Sequence, residues 1–138
     1  MFILDTNIVS AMTRPEADPV VKAWLDLTDQ LLLRTTAITL FEIRYGLSGM
    51  PAGRNRASLE AGFEVLLTSA FKDNILAFDA NAAEEAGRIR AVRKSVGRVV
   101  DIPDTMIGAI AVSRGLPLVT RNVRHFDDLP VTLINPWA

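Results

Sequence analysis

The sequence predicts an α/β fold, with a mostly parallel central sheet of four to five strands flanked by helices on both faces. Short apolar runs alternate along the chain with segments of helical spacing, and this alternation is typical of βαβ units. The runs FIL and LPLVT are apolar throughout, as expected of parallel strands buried on both faces. No linker, repeat or low-complexity stretch divides the 138 residues, so we expect a single domain over residues 1–138.

Each predicted strand is a short apolar run bounded by polar or turn-forming residues. The first run ends abruptly at Asp5, which raises the question of why a buried strand stops at a carboxylate. In chain order, the predicted strands are Phe2–Leu4, Leu31–Leu33 continuing toward Ile38, Ile75–Phe78, Leu116–Thr120 and Val131–Ile134.

The segments between these runs have apolar residues at the spacing of helices. The last of them is almost entirely apolar and small, which predicts a buried helix, and Gly115 is a natural residue to end it. In chain order, the predicted helices are Pro19–Leu27, Leu40–Leu47, Arg56–Phe71, Ala82–Val96 and Thr105–Arg114.

Composition excludes several classes of protein. No apolar run approaches the roughly 18 residues of a membrane span, and Asp5 interrupts the N-terminus too early for a signal peptide, so we expect a cytoplasmic protein. The absence of cysteine excludes disulfides and thiolate metal sites. A net charge of −1 means that any nucleic-acid surface must be local. The 49% apolar content is sufficient for a core and a subunit interface.

Polar side chains recur where strands of the predicted sheet end, which is where ligands bind in folds of this kind. They are Asp5, Glu42, Asp104 and Asn122, with Thr120 beside the last of them. Oxygen ligands without cysteine or paired histidine suit Mg²⁺ or Mn²⁺ better than zinc. Clustered carboxylates repel one another, at roughly 4 kcal/mol for two at 4 Å with an effective dielectric of 20, unless a cation compensates them.

Each of these residues also has a purely structural interpretation. Thr39 to Glu42 fits a capping box, with Glu42 in the first helical turn, and Asp104 fits an N-cap after Pro103. Asn122 suits an ordinary turn. The roles of three neighbours also remain open. Asp101 is a second ligand or a loop residue, and His125 is a ligand or else a surface or packing residue. Asp127 either supplies a further carboxylate to the site or takes no part in it.

Four motifs occur together over nearly the whole chain: LDTNIVS, TAITLFEIRYGL, PDTMIGAIA and LVTRNVRHF. In this order and spacing they resemble the PIN-domain ribonucleases, specifically the VapC toxins of bacterial toxin–antitoxin pairs. The ending INPWA is similar to the FitB-type branch. The resemblance implies a PIN-like fold, a divalent metal, RNA cleavage restrained by a cognate VapB-like antitoxin, and a homodimer.

Carried over by position, the resemblance makes Asp5, Glu42 and Asp104 the three acids that hold the metal. Asn122 matches a position where some members have a fourth acid, so this site carries one negative charge fewer than theirs. The difference weakens the expectation of a second metal ion, but not that of the first. Thr6 matches a hydroxyl that would steady a ligand or a water. The expected chemistry is hydrolysis of a phosphodiester by a water that the metal activates.

RNA binding requires positive charge near the site. Arg44, Arg121 and Arg124 flank the expected ligands and are the RNA-binding candidates. The residues Arg90, Lys94 and Arg98 form another basic row, which solvation also explains. An antitoxin could dock on Pro19–Leu27 or on the long helix through Phe63, Leu66 and Leu67, although these side chains also suit a core.

Three other functions compete with that of a PIN-domain ribonuclease. The alternative is a catalytically weak PIN-fold module that retains antitoxin or RNA binding, because Asn122 replaces an acid. A haloacid-dehalogenase-type phosphatase or a receiver domain would also end a strand in an aspartate. The phosphatase motif, however, needs a second aspartate where this chain has Asn7, and both families need a lysine that is not suitably placed here.

Overall fold

The computed structural model describes all residues from 1 to 138, and its centre is one parallel sheet. Five strands lie in the order β3-β2-β1-β4-β5, and every neighbouring pair is parallel. The strands are β1 (Phe2–Leu4), β2 (Leu33–Thr36), β3 (Ile75–Leu76), β4 (Leu118–Val119) and β5 (Leu133–Ile134). The predicted number and direction of strands are confirmed.

Six α-helices and two short 3₁₀ turns connect the strands. The helices are α1 (Thr6–Thr13), α2 (Pro19–Asp26), α3 (Ala37–Ser48), α4 (Arg54–Thr68), α5 (Ala80–Ser95) and α6 (Ile102–Arg114). The 3₁₀ turns are Gln30–Leu32 and Val123–His125. None of the helices combines the length and apolar character needed to cross a bilayer.

The apolar core has two parts, one on each face of the sheet, because successive residues of a strand point to opposite faces. Ile3 of β1 packs in a cluster with Ile107, Ile110 and Phe126, on the side of α5 and α6. Leu4 packs in the other cluster, with Phe63 and further side chains of α1, α3 and α4. Helices therefore cover both faces, as the sequence predicts.

Several predicted boundaries were wrong. Leu31 and Leu32 lie exposed in a 3₁₀ turn, so β2 begins at Leu33 and ends at Thr36, before Ile38. The predicted strands at 75–78, 116–120 and 131–134 shorten to two residues each. Helix α1 was not predicted. It begins directly after β1, and Asp5 caps it.

Two glycines have clear conformational reasons. Gly115 ends α6 in the left-handed region, with a φ of 63°, as the sequence predicts. Gly62 of α4 lies so close to α1 that an added Cβ would stand 2.4 Å from the backbone oxygen of Thr13. The α1–α4 contact is therefore a close backbone approach.

Candidate active site

Asp5 ends β1 and lies at the centre of the carboxyl edge of the sheet, where its side chain is 1% exposed. Its Oδ1 accepts a hydrogen bond from the Thr6 N–H at 2.8 Å. Its Oδ2 accepts from the Thr120 hydroxyl at 2.7 Å and from the Asn7 amide at 3.3 Å. Burial raises the pKa of Asp5 above its ordinary value, although these hydrogen bonds oppose the shift.

Glu42 reaches the same edge from α3. Its Oε1 accepts a 2.7 Å hydrogen bond from the Thr6 hydroxyl, so Thr6 connects Asp5 to Glu42 through its N–H and its hydroxyl. Burial raises the pKa of Glu42, and the nearby Asp5 and Asp101 raise it further.

The predicted capping box was wrong. Thr36 caps α3, and its hydroxyl accepts from the Thr39 N–H at 3.1 Å. Glu42 therefore lies in the second turn of the helix, with its carboxylate directed to Thr6 instead of to its own helix end. The cap belongs to the last residue of β2, so strand and helix join without a loop.

Asp104 approaches from the first turn of α6 and is 8% exposed. Burial and the charge of Asp5 raise its pKa to about 6. The predicted N-cap role of Asp104 was wrong, because Asp101 caps α6 by accepting from the Asp104 N–H at 3.1 Å. Asp101 is thus a capping residue, and its charge also raises the pKa values of Asp5, Glu42 and Asp104.

Residues 120–128, which we call the His125 loop, carry the fourth predicted position. The Asn122 N–H donates to the Thr120 hydroxyl at 3.0 Å, while the exposed Asn122 side chain does not cap the 3₁₀ turn that follows it. Thr120 therefore links Asn122 to Asp5, since its own hydroxyl donates to that carboxylate.

His125 is a residue whose role the sequence left open. Its Nδ1 lies 2.5 Å from Oδ2 of Asp104, across 21 residues of sequence. The side chain is half exposed, so the imidazole stands at the mouth of the acidic site. No local pattern distinguishes such a histidine, and only the path of the loop brings it to Asp104.

Asp127 lies outside this cluster. It pairs with Arg98 at 2.9 Å, and it is not among the groups that shift the pKa values of Asp5, Glu42 or Asp104. The structure therefore brings together Asp5, Glu42 and Asp104, with Asp101 and His125 beside them, and leaves Asp127 apart.

The three arginines predicted to bind RNA have different surroundings. Arg44 pairs with Glu64 at 2.5 Å and lies over the Phe63 ring. Arg121 stacks on Trp137, with its guanidinium carbon 4.8 Å from the ring centroid. Arg124 is exposed on the His125 loop. Arg121 and Arg124 therefore lie exposed on the loop that carries Asn122, with Arg121 also near Asp18, while Arg44 is paired on α3.

The side chains of the long helix that were predicted as a docking surface are mostly part of the core. Phe63 is 1% exposed and belongs to the core, and Leu66 and Leu67 pack against it. Leu27 and Val20, at the two ends of the α2 region, do expose apolar surface.

A model of the PIN domain matches residues 2–131 of the chain. The chain belongs to the PIN-domain family. This membership confirms the family predicted from the four motifs, and with it the PIN-like fold.

Individual relatives are similar to this PIN domain over nearly its full length. It is 35% identical to the VapC ribonuclease Y4jK of Sinorhizobium fredii, over 99% of this chain and 98% of that protein. It is 32% identical to Toxin FitB of Neisseria gonorrhoeae, over 99% of each chain. The crystal structure of FitAcB from Neisseria gonorrhoeae superposes with a TM-score of 0.87 at 32% identity, and the match covers 99% of both chains.

Proposed function

We propose that this PIN domain is the toxin of a type II toxin–antitoxin pair and acts as an endoribonuclease that depends on Mg²⁺ or Mn²⁺. One observation carries the proposal: Asp5, Glu42 and Asp104 converge at the carboxyl edge of the sheet, and each has a raised pKa. The relatives support the activity, since one is named a ribonuclease and another a toxin.

The donor set fits a divalent cation by its chemistry. Its charged members are carboxylates, the hard ligands that Mg²⁺ and Mn²⁺ prefer. Burial and nearby carboxylates raise the pKa values of these acids, and a cation would favour their charged forms. In the side-chain positions described here, no three acid or histidine groups stand close enough together to hold one ion. Ligation of one ion by Asp5, Glu42 and Asp104 together therefore requires that at least one of them change its side-chain position.

The neighbouring residues would hold these ligands in place. Thr6 and Thr120 fix both oxygens of Asp5, and the Thr6 hydroxyl directs Glu42. A bound ion supplies positive charge to the phosphate and lowers the pKa of a water molecule. We assign phosphate contacts in the RNA to Arg121 and Arg124, because both are exposed on the loop that carries Asn122 and His125.

The proposal includes partners. A cognate VapB-like antitoxin would inhibit the enzyme, and two copies would form a homodimer. Large apolar side chains exposed on α3 and α5, such as Phe41, Tyr45 and Val92, supply surface for such contacts. Residues 1–138 would act as one domain, and an RNA substrate implies a cytoplasmic location. Light scattering of the purified chain tests the dimer.

Cleavage of total cellular RNA by the purified, antitoxin-free protein tests the activity. We expect cuts at discrete sites with Mn²⁺ or Mg²⁺, none with EDTA, and a loss of at least about 100-fold in Asp104→Asn, since the exchange removes one of the three acids. Asp127→Asn is the matched control, because it removes a carboxylate outside the cluster.

The second candidate is the catalytically weak binding module. It is favoured by Asn122, which supplies an amide in place of a fourth acid, and by the absence of a preformed three-ligand cage. If folded wild-type protein leaves RNA intact at saturating metal, as Asp104→Asn does, the nuclease proposal fails. A folded wild-type protein that binds antitoxin or RNA without cutting would then support the module.

A further inference from the structure

Arg93 of α5 is the only lysine or arginine that the fold buries, with 3% of its surface exposed. A charge in the interior is costly unless partners satisfy it. Two bonds join its guanidinium to Asp128 in a fork, from Nε to Oδ2 and from Nη2 to Oδ1, both at 2.8 Å. This contact holds the pKa of Asp128 below its ordinary value, so the pair is ionised at neutral pH.

The rest of the guanidinium contacts the two segments that carry the site. Nη2 donates to the backbone oxygen of His125 at 2.7 Å, within the His125 loop. Nη1 donates to the hydroxyl of Thr105 at 3.1 Å, and that hydroxyl donates to the backbone oxygen of Asp101 at 3.0 Å. Arg93 thereby joins the loop to the first turn of α6.

Asp104 is the residue before Thr105 in that turn, and it contacts the His125 side chain. One rigid guanidinium is thus bonded to the backbone oxygen of His125 on one side of this contact and, through the Thr105 hydroxyl, to the backbone oxygen of Asp101 on the other. A planar fork fixes direction as well as distance, which a lysine ammonium does not.

Stability alone gives a weak reason for this arrangement. Apolar side chains of similar volume are often as stabilising as a buried ion pair. The surrounding face already has an apolar cluster, which includes Ile107, Ile110 and Phe126. The contacts of Arg93 are instead with Asp128, Thr105 and His125, two of which lie on the loop.

We propose that Arg93, oriented by Asp128, is a positioning residue that sets the distance between the His125 loop and Asp104. The inference rests on the proposed function where metal affinity is concerned, and on the structure alone where the position of His125 is concerned. Because Asp104 is one of the three metal ligands proposed above, loss of the guanidinium would weaken metal binding without removing a ligand.

A natural control lies five residues along the chain. Arg98 also bonds to the His125 loop, through Asp127 at 2.9 Å and through the backbone oxygen of Arg124, and it lies 3.4 Å from Asp128, but it makes no bond to Thr105. Asp127→Asn therefore weakens an ion pair to the same loop and leaves the contact between Arg93 and α6 in place.

The first measurement is the NMR signal of the imidazole, in metal-free protein at one fixed pH. His125 is the only histidine, so its ring resonances are assigned without further labelling. We expect these resonances to shift in Arg93→Met and to stay at the wild-type position in Asp127→Asn. The pair variant Arg93→Met with Asp128→Asn removes both charges and replaces the single variant if that one does not fold.

The second measurement is Mn²⁺ affinity by calorimetry, well below the unfolding temperature. We expect a loss of about 10-fold in Arg93→Met, at the low end of the range for groups that orient metal ligands. Arg93→Lys keeps the charge but not the fork, so it should recover part of the affinity. Asp127→Asn should bind as the wild type does.

Wild-type imidazole resonances and wild-type Mn²⁺ affinity in a folded Arg93→Met protein would overturn the proposal, even if that protein melts earlier. If the wild type neither binds Mn²⁺ nor cuts RNA, the proposed function fails. The imidazole comparison then decides the positioning role by itself.

Discussion

The fold buries charge in two places, and it treats them in opposite ways. At the carboxyl edge of the sheet, Asp5, Glu42 and Asp104 are bonded to hydroxyls, backbone N–H groups and one imidazole, and their pKa values are raised. On α5, each nitrogen of the Arg93 guanidinium donates a hydrogen bond, and the pKa of its partner Asp128 is lowered.

The two sites differ in whether the chain itself supplies an opposite charge for the buried groups. The Arg93–Asp128 pair combines opposite charges, which two hydrogen bonds join within the chain. The acidic cluster is incomplete, because its members destabilise one another when all are ionised. A cation would compensate such a cluster, which is why the proposed function assigns the metal to the first site and not to the second.

Breaking the completed pair should have the largest effect. Asp128→Ala leaves Arg93 buried without its carboxylate, and we expect a loss of about 3 kcal/mol in the free energy of unfolding. Asp127→Ala breaks an exposed pair and should cost about 1 kcal/mol or less. Urea denaturation followed by the fluorescence of the two tryptophans measures both, and equal losses would remove the distinction between the pairs.

Binding of a metal ion to the acidic cluster should raise the free energy of unfolding by a similar amount. Mn²⁺ at 100 times its dissociation constant should stabilise the protein by about 2.7 kcal/mol, because only the folded state binds it. Asp5→Asn should abolish most of this gain. A thermal melt with and without the ion measures it, and an undiminished shift in Asp5→Asn would place the ion elsewhere.

Removing one acid without a metal should stabilise the fold. Asp104 has a pKa of about 6 in the folded state and an ordinary value of 3.8, so folded stability falls as the pH rises through this window. In EDTA at pH 8, we expect Asp104→Asn to be more stable than the wild type by about 1 kcal/mol, after allowance for a weaker bond to His125. At pH 4 the gain should vanish, and a gain equal at both pH values would contradict a charge effect.

The acid side of the pH profile should show the smallest effect. The lowered pKa of Asp128 contributes stability above its ordinary value of 3.8, and this contribution is lost as the pH falls through the lowered value. Since the carboxylate is partly solvated, we expect under about 1 kcal/mol. The variant Arg93→Met with Asp128→Asn should lack this portion of the acid-induced loss, as measured by denaturation between pH 4 and pH 2.

The sequence predicted the parallel sheet and its helical cover because apolar runs report burial directly. The prediction of helix caps was wrong where two nearby residues both suit the N-cap position. Thr36 and Thr39 both suit a helix cap, as do Asp101 and Asp104, and in each case the earlier residue caps the helix. The side chain of the later residue is then free to point into the protein. Whether it does so depends on how the helix packs on the sheet.

Other features depend on contacts between distant residues. Leu31 and Leu32 are as apolar as any strand residue, yet they lie exposed before β2 begins. The sequence does not distinguish Arg93 from the other charged residues of α5, because its partner Asp128 is 35 residues away. The contact of His125 with Asp104 has the same origin, since the course of a loop is not encoded in its composition.

The two outermost strands have a consequence for the behaviour of the free protein. Both β3 and β5 are two residues long and form the edges of the sheet. Edges this short offer few unpaired N–H and C=O groups to another chain, so a molecule with 49% apolar residues avoids edge-to-edge aggregation. Any self-association should then proceed through helix surfaces, which leaves the sheet closed to amyloid-like growth.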